Sequence, residues 1–503
     1  MLALTLTGAA ACAGSGNGTS SPDGAMPEGG ASGSGGEGGS GSGSGGGRMI
    51  GSGGAETGGA NGSGGDSGSG GVKGAGGVVG SGGASGSGGA AGSNDGGGSG
   101  GAGAMFAGPF RHPGAVLNGD QITLLKMHIT AGDTPWSASL KQLQATAYGK
   151  STYTPAGSAP PGGIVTCGYI SSPDVGCTYE KNVAAGAIAN ALAWVLTGTK
   201  ANADAAVRIL NGWAATMKGR STPAAQELTG NTGDDFNGIL QSGWQGSTIA
   251  RAAELIRGSD GGASAAWAAA DIAKFQTMLR TTYIPYVENG YVRTAATDPA
   301  RLTGGNWDLS ATDGLLQLAV FLDDVALFNK GLALWRRRVP AYIYMTADGP
   351  DPNKVPGDLV SWYTAITTVD GLAEETCRDL SHVQYGFAAM INGAETALIQ
   401  GVNLYGEQAA RIVAGLELNA KYWLAGSSLP APCAKSDAAN FSANYIARPT
   451  WVIAYNEFAD RLKMSLPNLK TVVGQNTPPT ADDTHHIQWE ALTHAGVGAV
   501  GIR

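Results

Sequence analysis

The chain has 503 residues and a net charge of −8, with only 14% of its residues charged. This mild acidity, with no basic run beyond "WRRRVP", excludes a general nucleic-acid binder; an acidic polymer stays admissible, because a few arginines in a cleft decide that locally. Gly supplies 84 residues, and most of the excess falls in one stretch near the N-terminus.

The opening "MLALTLTGAAACAGSG" is an apolar run too short to span a bilayer. It ends in small residues and Cys12, and it resembles the end of a bacterial lipoprotein signal, where cleavage leaves an acylated cysteine. Ala9 stands where leucine is usual, and no basic n-region precedes the run. Residues 1–12 are therefore read as a signal remnant ending at Cys12. This implies export to the periplasm or outer membrane, with the cell surface as a further location, and membrane contact only through a lipid. Residues 13–108 follow in runs such as "GGSGSGSGGG". Such a segment has too little apolar surface to offset the entropy of ordering it, so it is expected to be a disordered Gly/Ser-rich tether. At about 5–6 Å × √n its mean reach is of order 50 Å. No Gly-X-Y period with proline is sustained, which argues against collagen.

From 109 to 503 the apolar spacing is helical nearly throughout. "NGDQITLLKMHITAG" predicts a helix stopping at Gly132, and "EKNVAAGAIANALAWVLTG" one stopping at Gly198. "NADAAVRILNGWAATMKG" is expected to start at a cap on Asn202 or Asp204 and to end at Gly219. "FNGILQSGWQGSTIARAAELIRG", "SAAWAAADIAKFQTMLRTTYIPYV" and "NWDLSATDGLLQLAVFLDDVALFNKGLALWRRRVP" continue the series. "YGEQAARIVAGLELNAKYWLAG" and "RPTWVIAYNEFADRLK" complete it. "YIYMTADG" and "LVSWYTAITTVDG" are read as short strands or loops over a cleft. The expected class is all-α, an (α/α) toroid or incomplete barrel of helix pairs.

Setting Cys12 aside leaves Cys167, Cys177, Cys377 and Cys433, an even number suited to disulfides in an exported chain. Cys167 and Cys177 bracket the turn-rich "GYISSPDVG", and Cys377 with Cys433 is the other candidate pair, although four cysteines allow three pairings. No Cys/His metal spacing is present, so neither a metal nor another cofactor is expected.

Four clusters carry candidate chemistry. "CRDLSHVQYG" sets Arg378, His382 and Tyr385 four and seven residues apart, which predicts one helical face. The bland alternative pairs Arg378 with Glu374 or Asp379 and leaves Tyr385 as a core anchor. Together a cation, an imidazole and a phenol suit an anionic sugar. "TGGNWDLSATDG" puts Asn306 and Trp307 after two glycines, where Asn306 either faces a cleft or simply caps a helix. In "GWQG", Trp244 and Gln245 offer a sugar-stacking platform and a hydrogen-bonding handle, with core packing as the alternative. "HHIQW" offers His485 and His486 to a metal, but adjacent side chains diverge and no third ligand accompanies them.

Three segments carry a resemblance. "HPGAVLNGDQITLLKMHITAGDTPW", "GNWDLSATDGLLQLAVFLDD" and "DGLAEETCRDLSHVQYGFAAMINGAETALIQGVNLYG" are similar to the alginate lyase superfamily, the helical-toroid group that includes polysaccharide lyase families five and thirty-eight. The resemblance runs from about Arg111 to near the C-terminus. It implies an (α/α) toroid and metal-independent β-elimination of uronate polymers. Matched by motif, Asn306 and Arg378 neutralise the uronate carboxylate and Tyr385 transfers protons. Family five has histidine directly after the asparagine; here Trp307 stands there, and His382 is assigned the imidazole role instead. The implied partner is an acidic polysaccharide, with alginate foremost and mannuronate linkages favoured, acted on by a monomer. Three alternatives accompany this reading: a glucuronan lyase on the same fold, a surface lipoprotein that binds acidic polysaccharide without cleaving it, and a hydrolase. A hydrolase would need two of Asp308, Asp313 and Glu374 to flank the bond.

Overall fold

Two kinds of helix alternate along the chain, and the side chains of each say which it is. The computed structural model describes residues 103–169, 172–223, 235, 237–288, 305–352, 362, 368–425, 451–475, 485–486 and 489–498. The chain divides into two units, Met1–Gly101 and Ala102–Arg503, and the described residues all belong to the second. The expected signal remnant with Cys12, the tether as far as residue 102, and Cys433 lie outside the described residues.

Helices α1 (Gly119–Ala131) and α2 (Trp136–Ala145) come first. Four successions follow: α3 (Cys177–Thr197) then α4 (Lys200–Thr216), α5 (Gly238–Gly258) then α6 (Ala269–Thr282), α7 (Gly305–Phe321) then α8 (Val325–Tyr342), and α9 (Leu380–Ile399) then α10 (Ala409–Ala425). Shorter helices α11 (Trp451–Tyr455), α12 (Pro467–Gln475) and α13 (Glu490–Thr493) come last. The first member of each pair is buried almost all round; every residue of α7 is buried. The second member buries a stripe, as with Ile209, Leu210 and Trp213 on α4 or Ile412, Gly415, Leu416 and Asn419 on α10. Fully burying one such large apolar side chain contributes about 1.5–3 kcal/mol.

The inner helices pack in series, α3 on α5, α5 on α7, α7 on α9 and α9 on α11. Then α11 meets α13, and α13 meets α1 and α2, which pack on α3, so the row returns to its start. Trp136 Nε1 donates to Ala495 O at 3.1 Å, and His494 Nε2 lies 3.1 Å from Val116 O across this seam. The fold is the all-α (α/α) toroid that the helix succession predicts. The inner row packs closely because small residues face each other: a Cβ on Gly243 of α5 would lie 2.7 Å from Ser310 O of α7.

Local signals set several ends as expected. Asn118 and Gln121 form a reciprocal capping box at α1, with both bonds 2.8 Å. Gly132 and Gly198 end α1 and α3 in the left-handed region. Other expectations are corrected. Helix α4 starts at Lys200 after Thr199, ahead of Asn202 and Asp204, and it stops at Thr216 because Gly219 and Arg220 are taken into a strand. The long "NWDLSATDG…RRRVP" pattern splits in two where Asp323 adopts a positive φ and Asp324 caps α8.

The strands cluster beside the cysteines. β1 (Ile164–Tyr169) pairs antiparallel with β2 (Ser172–Val175) and parallel with β3 (Gly219–Arg220). Cys167 and Cys177 form the disulfide that ties this hairpin to the first turn of α3, as their spacing suggests. β3 delivers Arg220 into the core, where its guanidinium meets the Glu180 carboxylate with both groups fully buried.

The segment before α1 is held by a charge cluster. His112 Nδ1 lies 2.5 Å from Glu254 and Nε2 lies 2.7 Å from Asp323, while Arg257 bonds both carboxylates. Burial opposes a charged ring here, but the hydrogen bond and charge of Glu254 outweigh it, and the His112 pKa is raised above 6.5. A raised folded-state pKa gives stability that is fully present below the unfolded value and lost as pH rises through the folded value. Melting temperature is therefore expected to fall as pH rises from about 6.5 upwards, and to fall less in His112→Gln. Glu374 and Glu490, each pushed up to about 8 by burial, act with the same sign in both proteins. The difference between the two melting curves isolates the imidazole, and parallel curves would refute its role.

Candidate active site

Asp379 decides where α9 begins. Its carboxylate accepts from the His382 backbone N–H at 2.8 Å and caps the helix, so the first helical residue is Leu380. The predicted single helical face carrying Arg378, His382 and Tyr385 is therefore corrected. His382 and Tyr385 share the first turns of α9, whereas Arg378 lies in the turn before it. Asp379 also accepts from His382 Nδ1 at 2.5 Å, and a proton held there makes Nε2 the working nitrogen of the ring. Burial alone would raise Asp379, but the His382 hydrogen bond and charge, with Arg378 beyond, bring its pKa below the usual carboxylate value.

Glu375 joins the residues expected to grip a carboxylate. It accepts from Asn306 N at 2.8 Å and from Asn306 Nδ2 at 2.9 and 3.1 Å, and it pairs with Arg378 Nη1 at 3.1 Å. Tyr342 OH donates to the same carboxylate at 3.3 Å. Asn306 sits in the first turn of α7, so its side chain does not cap the helix; Glu375 and Glu374 take the leading N–H groups. With Nδ2 turned to Glu375, the Asn306 amide keeps a buried Oδ1 that has no hydrogen-bond partner among the described residues. Gly305 makes the arrangement possible: its φ is +59°, and a Cβ would lie 2.6 Å from Glu375 Cδ. Gly305→Ala is expected to displace Glu375, and with it Asn306 and Arg378. Turnover should drop on the order of 100-fold, the scale of an ångström's misplacement, with helix content by circular dichroism unchanged. Full activity in this variant would show that the Glu375 junction is dispensable.

Around Tyr385, which is 8% exposed, four rings gather. Trp244 of α5 lies 5.4 Å away between centroids, His382 6.0 Å, His485 5.2 Å and His486 5.7 Å. Trp244 also meets His485 edge-on at 4.3 Å, and its buried Nε1 has no hydrogen-bond partner among the described residues. Gln245 is fully buried one position on, about 100° further round the helix. Trp307 is buried in the same apolar cluster as Trp244 and Tyr385. The two histidines weighed only as metal ligands thus face the phenol, and nothing in the local sequence pointed there. Among the described residues no three His, Cys, Asp or Glu side chains gather as a metal cluster.

The carboxylates that a hydrolase would use are engaged elsewhere. Arg338 ion-pairs with both Asp308 and Glu374, and Arg251 lies 2.5 Å from Asp313. Burial pushes Glu374 up to about 8, with Arg338 opposing the rise and Glu375 adding to it. Cys377 is buried in the turn before α9, but its candidate partner Cys433 is outside the described residues.

Residues 177–428 match the alginate lyase family model. No curated protein matches the chain. The crystal structure of alginate lyase A1-III from Sphingomonas species A1 is similar at 17% identity and a TM-score of 0.45, covering 69% of this chain and 88% of that one. A histidine-to-alanine variant of alginate lyase A1-III, in its apo form, gives 16% and 0.48, covering 74% and 93%. A tyrosine-to-phenylalanine variant complexed with tetrasaccharide gives 14% and 0.42, covering 68% and 87%.

Proposed function

We propose, from the premise that this chain belongs to the alginate lyase family and is a polysaccharide lyase, that it cleaves uronate polymers by metal-independent β-elimination. Alginate is the substrate favoured, through mannuronate linkages. The observation that carries this reading is the junction of Tyr385, His382, Arg378 and Asn306, drawn from α9, the turn before it and the start of α7.

The chemistry follows from charge. A uronate C5 proton is barely acidic while the carboxylate beside it keeps its full negative charge. Donors and positive charge on that carboxylate stabilise the enolate-like species left by proton removal. A guanidinium carries five N–H donors, so the Arg378 ion pair with Glu375 is compatible with a grip on a second, incoming carboxylate. Asn306 Nδ2 is held by Glu375, so Asn306 fixes the Glu375–Arg378 pair in place, and protonated His382 donates through Nε2 to complete the clamp. Tyr385, as phenolate, then takes the C5 proton, and the C5–H electron pair becomes the C4=C5 double bond. The C4–O bond breaks, its oxygen leaving with that electron pair and taking the proton back from Tyr385. One group serves both steps only when proton and leaving oxygen share a face of the ring, as in mannuronate.

The test offers purified protein mannuronate-rich, guluronate-rich and glucuronate polymers while the ultraviolet absorbance of the unsaturated product is followed. Rising absorbance supports the lyase, fastest on the mannuronate polymer; a preference for glucuronate moves the reading to a glucuronan lyase. New reducing ends without absorbance would mean hydrolysis, and binding with neither would mean a non-catalytic clamp. Export and anchoring through acylated Cys12 belong to the same proposal. Membrane fractionation of wild type against Cys12→Ser checks them.

A further inference from the structure

His485 stands outside the span that matches the family, yet its ring lies 5.2 Å from that of Tyr385, at 70° to it. Trp244 packs against both rings, 4.3 Å from His485 and 5.4 Å from Tyr385, and His485 is half-buried while neighbouring His486 is 2% exposed. We infer that His485 is the proton relay of Tyr385: it takes the phenolic proton before elimination and returns it afterwards. The inference deepens the lyase reading and rests on it.

The need for a relay comes from the phenol. With an ordinary value near 10, only about one tyrosine in a thousand is ionised at neutral pH, whereas an imidazole near 6.5 holds or releases a proton there readily. Of the rings around Tyr385, His382 is committed through Nδ1 to Asp379, and His486 is buried. His485 combines a short ring separation with partial exposure, so a proton received from the phenol has a path to water. A separation of 5.2 Å at a steep interplanar angle lets ring rotation bring an imidazole nitrogen to the phenolic oxygen.

The step balances as follows. Tyr385 gives its O–H proton to His485, forming phenolate and imidazolium. The phenolate accepts the C5 proton, the C5–H electron pair becomes the C4=C5 bond, and the C4–O bond breaks. The leaving oxygen takes the proton back from Tyr385, which regenerates the phenolate beside the imidazolium. When product leaves, His485 returns its proton to Tyr385. Because His485 acts through Tyr385, it is a positioning residue in this scheme.

The discriminating variants are His485→Phe, which keeps a ring packed against Trp244 and Tyr385, and His485→Ala, which leaves space for a small molecule. Steady-state kinetics on the preferred polyuronate should show kcat lowered about 100-fold in both, with KM little changed, the size of one lost proton-transfer partner. Free imidazole should restore a large part of the loss in His485→Ala and none in His485→Phe. An undiminished kcat in His485→Phe, or no response of His485→Ala to imidazole, would overturn the relay while the wild-type lyase activity stood. Absence of unsaturated product from the wild type would overturn the lyase reading and the relay together.

Discussion

Tyr385→Phe is expected to lower turnover on polyuronate by about 10²–10⁴-fold, the contribution of a positioned proton-transfer group. Polymer binding should be largely retained. The phenylalanine ring keeps the packing against Trp244 at 5.4 Å and against the histidines, so only the hydroxyl is withdrawn. Losing one buried hydroxyl costs about 1 kcal/mol of stability, a small part of the roughly 5–15 kcal/mol that holds a domain folded. The rate effect therefore dominates, and unfolding does not account for it. Product absorbance gives kcat, and titration with polymer gives affinity; near-normal kcat in the variant would remove Tyr385 from the chemistry.

Arg220→Ala is expected to destabilise the fold by about 3–5 kcal/mol, the cost of stripping a buried pair of its counter-charge. Arg220 Nη2 donates to Glu180 at 2.9 and 3.0 Å, Nε donates to Ser242 Oγ at 2.8 Å, and Nη1 lies 3.8 Å from Asp235. Tyr283 OH donates to Glu180 at 2.6 Å and receives Trp213 Nε1 at 2.9 Å. These groups bind β3, α3, α4, α5 and the chain after α6 into one polar knot inside an apolar core. Burial raises the Glu180 pKa, with Arg220 opposing the rise, so removing the guanidinium leaves Glu180 and Asp235 mutually repelling without a cation. Replacing both partners, Arg220→Met with Glu180→Gln, should cost less than Arg220→Ala alone. Urea unfolding monitored by tryptophan fluorescence measures both proteins. A midpoint for Arg220→Ala equal to wild type would show that the knot contributes no net stability.

Helix ends were legible where the chain carries its own signals. Asn118 and Gln121 announce a capping box, Gly132 and Gly198 announce stops, and the all-round burial of α5 and α7 is written in runs of small and apolar residues. The start of α4 was misplaced because Asn202 resembles a cap, yet its side chain bonds Asn190 and Gly149 O. Arg378 was placed on α9 because spacing alone cannot show that Asp379, with equal helical periodicity on either side, would cap and stop the helix there. Asn306 was singled out from its place after two glycines, but its partner Glu375 lies 69 positions away and was overshadowed by Glu374. His485 and His486 were the least legible, because what brings them to Tyr385 is the curvature of the helix row, which no local pattern encodes.

The seam where His494 meets Val116 joins residues 378 positions apart. Contacts at such separation form late, since the entropy of closing a long loop must be met before they contribute. During synthesis α1, α2 and α11 lack their final neighbour until α13 has left the ribosome. The circle thus has a last stone, and a chain cut short before Glu490 is predicted to sediment with aggregates rather than persist as a smaller enzyme.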